Sequence, residues 1–400
     1  MSGPAVPSTR YSLTRGADVR TDVAIIGGGP VGLYLAASLL KQGISVRILE
    51  QRKERNIHTR AIGIHPPALA ALDEVGVAAA MVQEGVAIRT GLAVSGGKTV
   101  GTMSFANVSK DYPFVLALPQ YRTEQLLEER VLALDSKAMV RGIEVTGLND
   151  DGDRTAVAVE PSVDGQAGHD GFEATVVVAA DGARSRMRGA LGVPVKAKAY
   201  PDHYLMGDFA DAGHHGQMAV LFLEPGGIVE SFPLPGGLRR WVVRLGQPAK
   251  AADAVQLAEL VHARTGIMPE AETNCMTSAF SVRSTLARRT VAGRVLLIGD
   301  AAHEISPIGG QGMNLGWLDA RALAPVIARS LAGEAVDAEL KEFEAGRQRA
   351  AVTARRQSEF NMMLGRPLPG PLLKLRNLAI GAAASTPAIN QWTARRFTMQ

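Results

Sequence analysis

Residues 22–50 read DVAIIGGGPVGLYLAASLLKQGISVRILE. The opening five, Asp22-Val-Ala-Ile-Ile26, form a short β-branched apolar run of the kind buried in a parallel sheet, and they lead straight into Gly27-Gly-Gly-Pro30. From Val31 to Gln42, Leu33, Ala36, Ala37 and Leu40 recur at helical spacing and Gly43 supplies a stop. Ser45 to Leu49 returns to a strand pattern ending at Glu50, so the stretch reads as strand, tight turn, helix, strand. Within it, Gly27-x-Gly29-x-x-Gly32 is a dinucleotide-binding fingerprint. The first glycine allows the turn, the second lets a pyrophosphate approach the backbone, and the third lets helix pack on strand. The helix N-terminus offers donors and a positive dipole to phosphates, and Glu50, 18 residues past Gly32, is placed to accept from a ribose hydroxyl. The plain alternative is a tight turn in an α/β protein with no ligand. Val23 to Leu40, 18 residues without a charge, also reaches the length of a membrane span. The Gly27–Pro30 cluster in its midst suits a strand–turn–helix and not a helix in lipid.

The rest of the chain bounds the class. Four hundred residues at about 150 per domain predict two to three domains. With 46% apolar and 20% charged residues the chain is globular, neither disordered nor fibrous. A net charge of +4 is too small to make nucleic acid the expected partner. Cys275 is the single cysteine, which excludes an intrachain disulfide and a Cys-x-x-Cys pair and suits a reducing cytoplasm. No His-Glu-x-x-His or acidic cluster calls for a metal. Met1 to Arg20, rich in Ser, Thr, Gly and Arg and lacking an apolar h-region, reads as a tail and not a secretory signal.

Two further apolar runs, Ala174–Ala180 and Arg294–Ile298, read as doubly covered strands and end at the polar turns Asp181-Gly182 and Gly299-Asp300. A helix is predicted from about Gly312 to Leu331. Between these landmarks, Leu191 to Val282 is punctuated by Gly226-Gly227 and Pro235-Gly-Gly237 and reads as antiparallel hairpins, as does Thr90 to Phe105. From about Gly346 the pattern is helical to Leu364 and is then broken by Pro367, Pro369 and Pro371.

Asp181-Gly-Ala-Arg-Ser-Arg-Met-Arg188 matches an Asp-Gly-x-x-Ser-x-x-Arg motif, and Gly299-Asp-Ala-Ala-His303 with Pro307-Ile-Gly-Gly-Gln-Gly-Met-Asn314 matches a Gly-Asp motif. With the fingerprint, in this order, the chain resembles the single-component FAD-dependent aromatic hydroxylases of the para-hydroxybenzoate hydroxylase and phenol hydroxylase family. The resemblance implies a Rossmann-type α/β FAD-binding domain with an inserted, mostly antiparallel β-sheet substrate domain and a C-terminal helical segment. The expected division is a tail at 1–20, a discontinuous FAD-binding domain at 21–84, 115–189 and 286–345, a substrate domain at 85–114 and 190–285, and the helical segment at 346–400.

The resemblance implies noncovalent FAD, NAD(P)H as cosubstrate, O2, and a small aromatic or heteroaromatic substrate oxygenated through a flavin C4a-hydroperoxide. The implied cofactor contacts are Gly27, Gly29, Gly32, Glu50, Arg60, Gln120, Asp181, Arg184, Gly299, Asp300, Pro307, Gly310, Gly312, Met313 and Asn314. Asp300, at a strand end facing the crevice of a doubly wound sheet, suits a ribityl hydroxyl, with a helix N-cap as the lesser alternative. The Gly309–Gly312 turn and the following helix N-terminus suit the anionic edge of a reduced flavin. Arg184 could serve pyrophosphate and nicotinamide nucleotide, whereas Arg186 reads as surface. His303 lies in the Gly-Asp motif and reads as cofactor-side. His203, Tyr204, His214 and His215, in the antiparallel region, are candidates to deprotonate a phenol, each also readable as structural or solvated. Trp241 reads as sheet packing. The motifs leave open a same-fold protein that has lost net oxygenation, as a cyclase or isomerase, and a non-enzymatic flavin sensor.

Overall fold

The computed structural model describes residues 19–55, 61–150, 152–161 and 171–400. The fingerprint strand, Val19–Ile26, lies inside an eight-stranded sheet between two parallel neighbours, Val46–Glu50 and Phe172–Ala179. Val295–Leu297 continues the parallel ladder beyond Phe172–Ala179, and Met139–Arg141 continues it beyond Val46–Glu50. The unbroken apolar run has a direct cause. Val23 and Ile25 enter one core while Ala24 and Ile26 enter another, so both faces of the strand are dry. The first core joins the helices Pro30–Leu40, Pro66–Glu74, Gln120–Leu134 and Gln311–Leu331. The second takes Ile143, Val145 and Val157 from the hairpin Ile143–Asp150/Thr155–Pro161.

The expected antiparallel sheet is present. Its eight strands run in the order His303–Glu304, Met276–Ala287, Val195–Ala210, Leu238–Leu245, Val229–Leu234, Ala219–Phe222, Thr90–Ser95, Lys98–Ser104, and one neighbouring pair, Ala219–Phe222 with Thr90–Ser95, is parallel. One face packs Leu205, Phe209, Val229, Trp241 and Val243 against Leu257 and Val261 of the helix Ala254–Thr265. Trp241 therefore belongs to sheet packing, stacked on Phe222 at 6.0 Å. Met206, Leu221 and Val242 of the other face line a space that also reaches Gly27 and Gly29 of the fingerprint loop.

The C-terminal segment differs in detail from its sequence reading. The helix expected from about Gly346 begins at Asp337, where Asp337 and Glu339 in the first turn suit the helix dipole. Beyond the proline break the chain resumes as two helices, Gly370–Ser385 and Pro387–Phe397, because proline at the first helical positions loses no needed donor. They lie over the strand Lys98–Ser104, with Ala384 against Gly101 and Phe397 between Phe105 (6.0 Å) and His65 (5.5 Å). Among the described residues no helix is long and apolar enough to cross a membrane.

Candidate functional site

The three fingerprint glycines do different work. Gly27 has φ +108°, and a Cβ there would strike the Ala180 carbonyl. At Gly32 a Cβ would run into the Gly27 carbonyl, so this glycine is needed for helix to meet strand. Gly29 has no atom within 4 Å of where a Cβ would stand, and it opens onto a cavity of about 1670 Å³. Gly28 N donates to Glu50 Oε2 at 2.7 Å, and Glu50 Oε1 accepts from Arg52 N at 2.9 Å and Arg52 Nε at 2.8 Å. Burial pushes the Glu50 pKa up, but Arg52 and the two backbone donors hold it below the usual carboxylate range. An ionised carboxylate thus lines the cavity.

At the Asp-Gly turn, Asp181 Oδ2 accepts from Met187 N at 3.1 Å, whereas Oδ1 is buried without a partner among the described residues, as expected of an acceptor kept for a ligand. Arg188 Nη1 donates to the Ala301 carbonyl at 2.9 Å and Nη2 to the Ala183 carbonyl at 3.0 Å, which joins the two polar turns. Arg184 is exposed at the cavity wall with no ion pair among the described residues, and Arg186 pairs with Glu144 at 2.6 Å.

The Gly299–Ala301 turn is fixed from behind. Gly299 N donates to Asp319 Oδ2 at 3.1 Å, and buried Asp319, on the helix Gln311–Leu331, also binds His303 Nε2 and Arg347 Nε, the latter at 2.5 Å. Burial opposes both charges, yet each partner favours the other's, so the His303 pKa ends above its ordinary value and that of Asp319 below. His303 does not line the cavity; it ties the turn to the helix. Asp300 does open onto the cavity, and its protein surroundings raise its pKa to about 6. Gly310, left-handed at φ +67°, caps the helix Gln311–Leu331, whose first-turn N–H groups face the cavity through Gly312 and Met313.

Gln120, Gly299, Pro307 and Gly310 also line the cavity, with the Gln120 amide donating to Glu124 at 2.7 Å. Asn314 is fully buried behind the wall. It accepts from His65 N at 2.8 Å and donates to the Gly63 and Gly310 carbonyls at 2.9 and 2.6 Å, which holds that segment on the helix. Arg60 lies outside the described residues. These features fit a flavin dinucleotide: bare backbone at Gly29, the unpartnered Asp181 oxygen, a helix N-terminus and Asp300 surround one space.

The same cavity continues to the antiparallel sheet, where Met206, Leu221, Phe232, Val242 and Phe280 line it. The four candidate bases do not. His203 bonds Ser281 at 2.8 Å, Tyr204 is buried and stacks on Phe280 at 5.5 Å, and His214 and His215 sit on a loop away from the wall. The acid that the sheet does bring to the wall, in the strand Val229–Leu234, is Glu230. Its one sequence signal is a lone acid in the strand-like run Ile228-Val-Glu-Ser-Phe232. Arg240 also reaches the wall but is held in a two-point pair by Asp208, at 2.6 and 2.7 Å.

Comparison with known proteins agrees with this geometry. The family described as FAD binding domain matches residues 20–358. Rifampicin monooxygenase of Streptomyces venezuelae is 30% identical over 365 residues, covering 90% of this chain and 74% of the relative. Anhydrotetracycline monooxygenase of Streptomyces rimosus is 31% identical over 369 residues, covering 88% and 71%. The crystal structure of p-nitrophenol 4-monooxygenase PnpA from Pseudomonas putida DLL-E4 is similar with a TM-score of 0.85 at 25% identity, covering 95% of this chain and 99% of that one.

Proposed function

This chain belongs to the FAD binding domain family and is an FAD-dependent monooxygenase of the aromatic hydroxylase type, and on that premise we propose that it spends NAD(P)H and O2 to hydroxylate an electron-rich aromatic or heteroaromatic small molecule held against the antiparallel sheet. The observation that carries this reading is the single cavity running from Gly29, Asp181 and Asp300 to the sheet residues Met206, Glu230 and Phe280. Its volume of about 1670 Å³ exceeds the usual range for a site holding one drug-sized ligand, roughly 300–1,000 Å³, so substrate and dinucleotide have room side by side.

When bound, FAD supplies electron transfer from NAD(P)H and the activation of O2. The protein's part is to bind, orient and keep dry. Gly29 would present bare backbone to the pyrophosphate, Asp181 and Asp300 would accept from cofactor donors, and the N-terminus of the helix Gln311–Leu331 would favour negative charge on the bound flavin. Met206, Leu221, Val242 and Phe280 hold an aromatic ring and exclude water, which protects an oxygenating site from wasteful discharge. In this division residues 85–114 and 190–285 serve the substrate, and the C-terminal helices close the site.

The test is anaerobic mixing of FAD-loaded protein with NADPH or NADH, followed at the flavin absorbance. Bleaching that reverses on admission of O2 is expected. FAD that is retained but never reduced by either nucleotide would contradict the proposal.

A further inference from the structure

The cross-strand register places seven residues in one row: Gly101, Ala93, Leu221, Glu230, Val242, Met206 and Ser278. Glu230 is the one acid in that row. It is 7% exposed and lines the cavity, and its carboxylate makes no hydrogen bond or ion pair among the described residues. Phe232 and Phe280 line the same stretch of wall. Arg240, opposite Phe232 two residues further along the strand, is bound by Asp208, and the Tyr204 hydroxyl, which feels the charge of Glu230, has no hydrogen-bond partner among the described residues. A buried carboxylate left unpaired by its own fold is costly and is retained where a ligand completes it.

We propose that Glu230 takes the hydrogen bond, and then the proton, of a hydroxyl group on the aromatic substrate, and so makes the enzyme select phenols over their ethers. The inference rests on the aromatic-hydroxylase reading of the cavity and adds to it the residue that recognises the substrate. The step is a proton transfer alone. The O–H bond of the phenol breaks, an O–H bond forms on the carboxylate, and the negative charge moves to the phenolic oxygen, where it enriches the ring. Burial raises the Glu230 pKa to about 7, which suits a proton acceptor working near neutrality. A substrate ammonium is the competing occupant. It would demand a full charge pair within a row of Leu221, Val242 and Met206, whereas a neutral O–H donor satisfies the carboxylate without adding charge.

Equilibrium dialysis of FAD-loaded protein with 2-naphthol, 2-hydroxyanthracene, their methyl ethers and 2-naphthylmethylammonium tests this. Wild type should bind each phenol about tenfold or more tighter than its ether. Glu230→Leu should bring that ratio close to one, and Glu230→Gln, which keeps an acceptor oxygen, should fall between. If Glu230→Leu does not retain FAD, Glu230→Gln decides alone, and its ratio must drop at least threefold. No phenol preference in wild type, an unchanged ratio in the deciding variant, or preference for the ammonium would each overturn the proposal. Reduction of wild-type FAD by NAD(P)H, followed in parallel, reports on the monooxygenase reading independently of these ratios.

Discussion

Arg188 donates to the carbonyl of Ala301 at 2.9 Å across 113 positions of sequence, and through this bond the Asp181 turn and the Asp300 turn are held as one surface. A cofactor that touches both turns benefits from their being fixed in advance. Arg188→Ala should therefore lower FAD affinity by roughly tenfold, from the loss of charge-assisted bonds worth about 1.5 kcal/mol, while circular dichroism and the fold are retained. Titration of the apoprotein with FAD measures it; unchanged affinity would refute the bracing role.

The fingerprint glycines separate folding from binding. Gly29→Val places its side chain in open cavity, so the protein should fold and yet fail to hold FAD. Gly32→Val drives a side chain into the Gly27 carbonyl, and this variant should be unstable or insoluble whether FAD is supplied or not. Thermal melting and flavin content of the two variants provide the comparison.

Asp300 should bind FAD best when ionised, because a carboxylate accepts a stronger bond than a carboxylic acid. With a pKa raised to about 6, FAD affinity should weaken as pH falls through 6. Asp300→Ala should lower affinity roughly ten- to a hundredfold at pH 8 and abolish that pH dependence. FAD titrations at several pH values read both effects.

Glu230 carries a stability cost in the free protein. Its folded pKa of about 7 lies above the 4.5 of an ordinary glutamate, so its contribution is fully present below pH 4.5 and is lost as pH rises through 7. Glu230→Gln should match wild type near pH 4.5 and be more stable at pH 8 by roughly 2 to 3 kcal/mol. Urea unfolding at the two pH values checks the sign as well as the size.

The doubly wound core was legible because its signals are local: the apolar run to Ile26, the glycines, and Glu50 all fall within one unit whose hydrogen bonds the sequence spacing nearly dictates. The two polar turns were legible by the same token. The bracing role of Arg188 was not: the residue closes the Asp-Gly motif, but its partners are carbonyl oxygens, which carry no residue signature. Glu230 was obscured for a different reason. The row that isolates it is assembled by strand register from residues between 93 and 278, and in the sequence it is an acid in a strand like any other. The histidines attracted attention by residue type, but the sheet's two-residue alternation and loop placement direct His203, His214 and His215 away from the wall. The prolines near 370 read as a break, yet proline also starts helices, and the two that follow bring Ile380, Ala384 and Phe397 to the cavity.

Oxygen insertion at the sheet-side cavity is measured most directly by mass spectrometry of product made by FAD-loaded protein from an electron-rich hydroxyarene with NAD(P)H under ¹⁸O-labelled O2. One labelled oxygen atom per product molecule, with one NAD(P)H consumed per coupled turnover and any excess recovered as hydrogen peroxide, is the predicted result. Product formed without O2, without NAD(P)H and without label would contradict it.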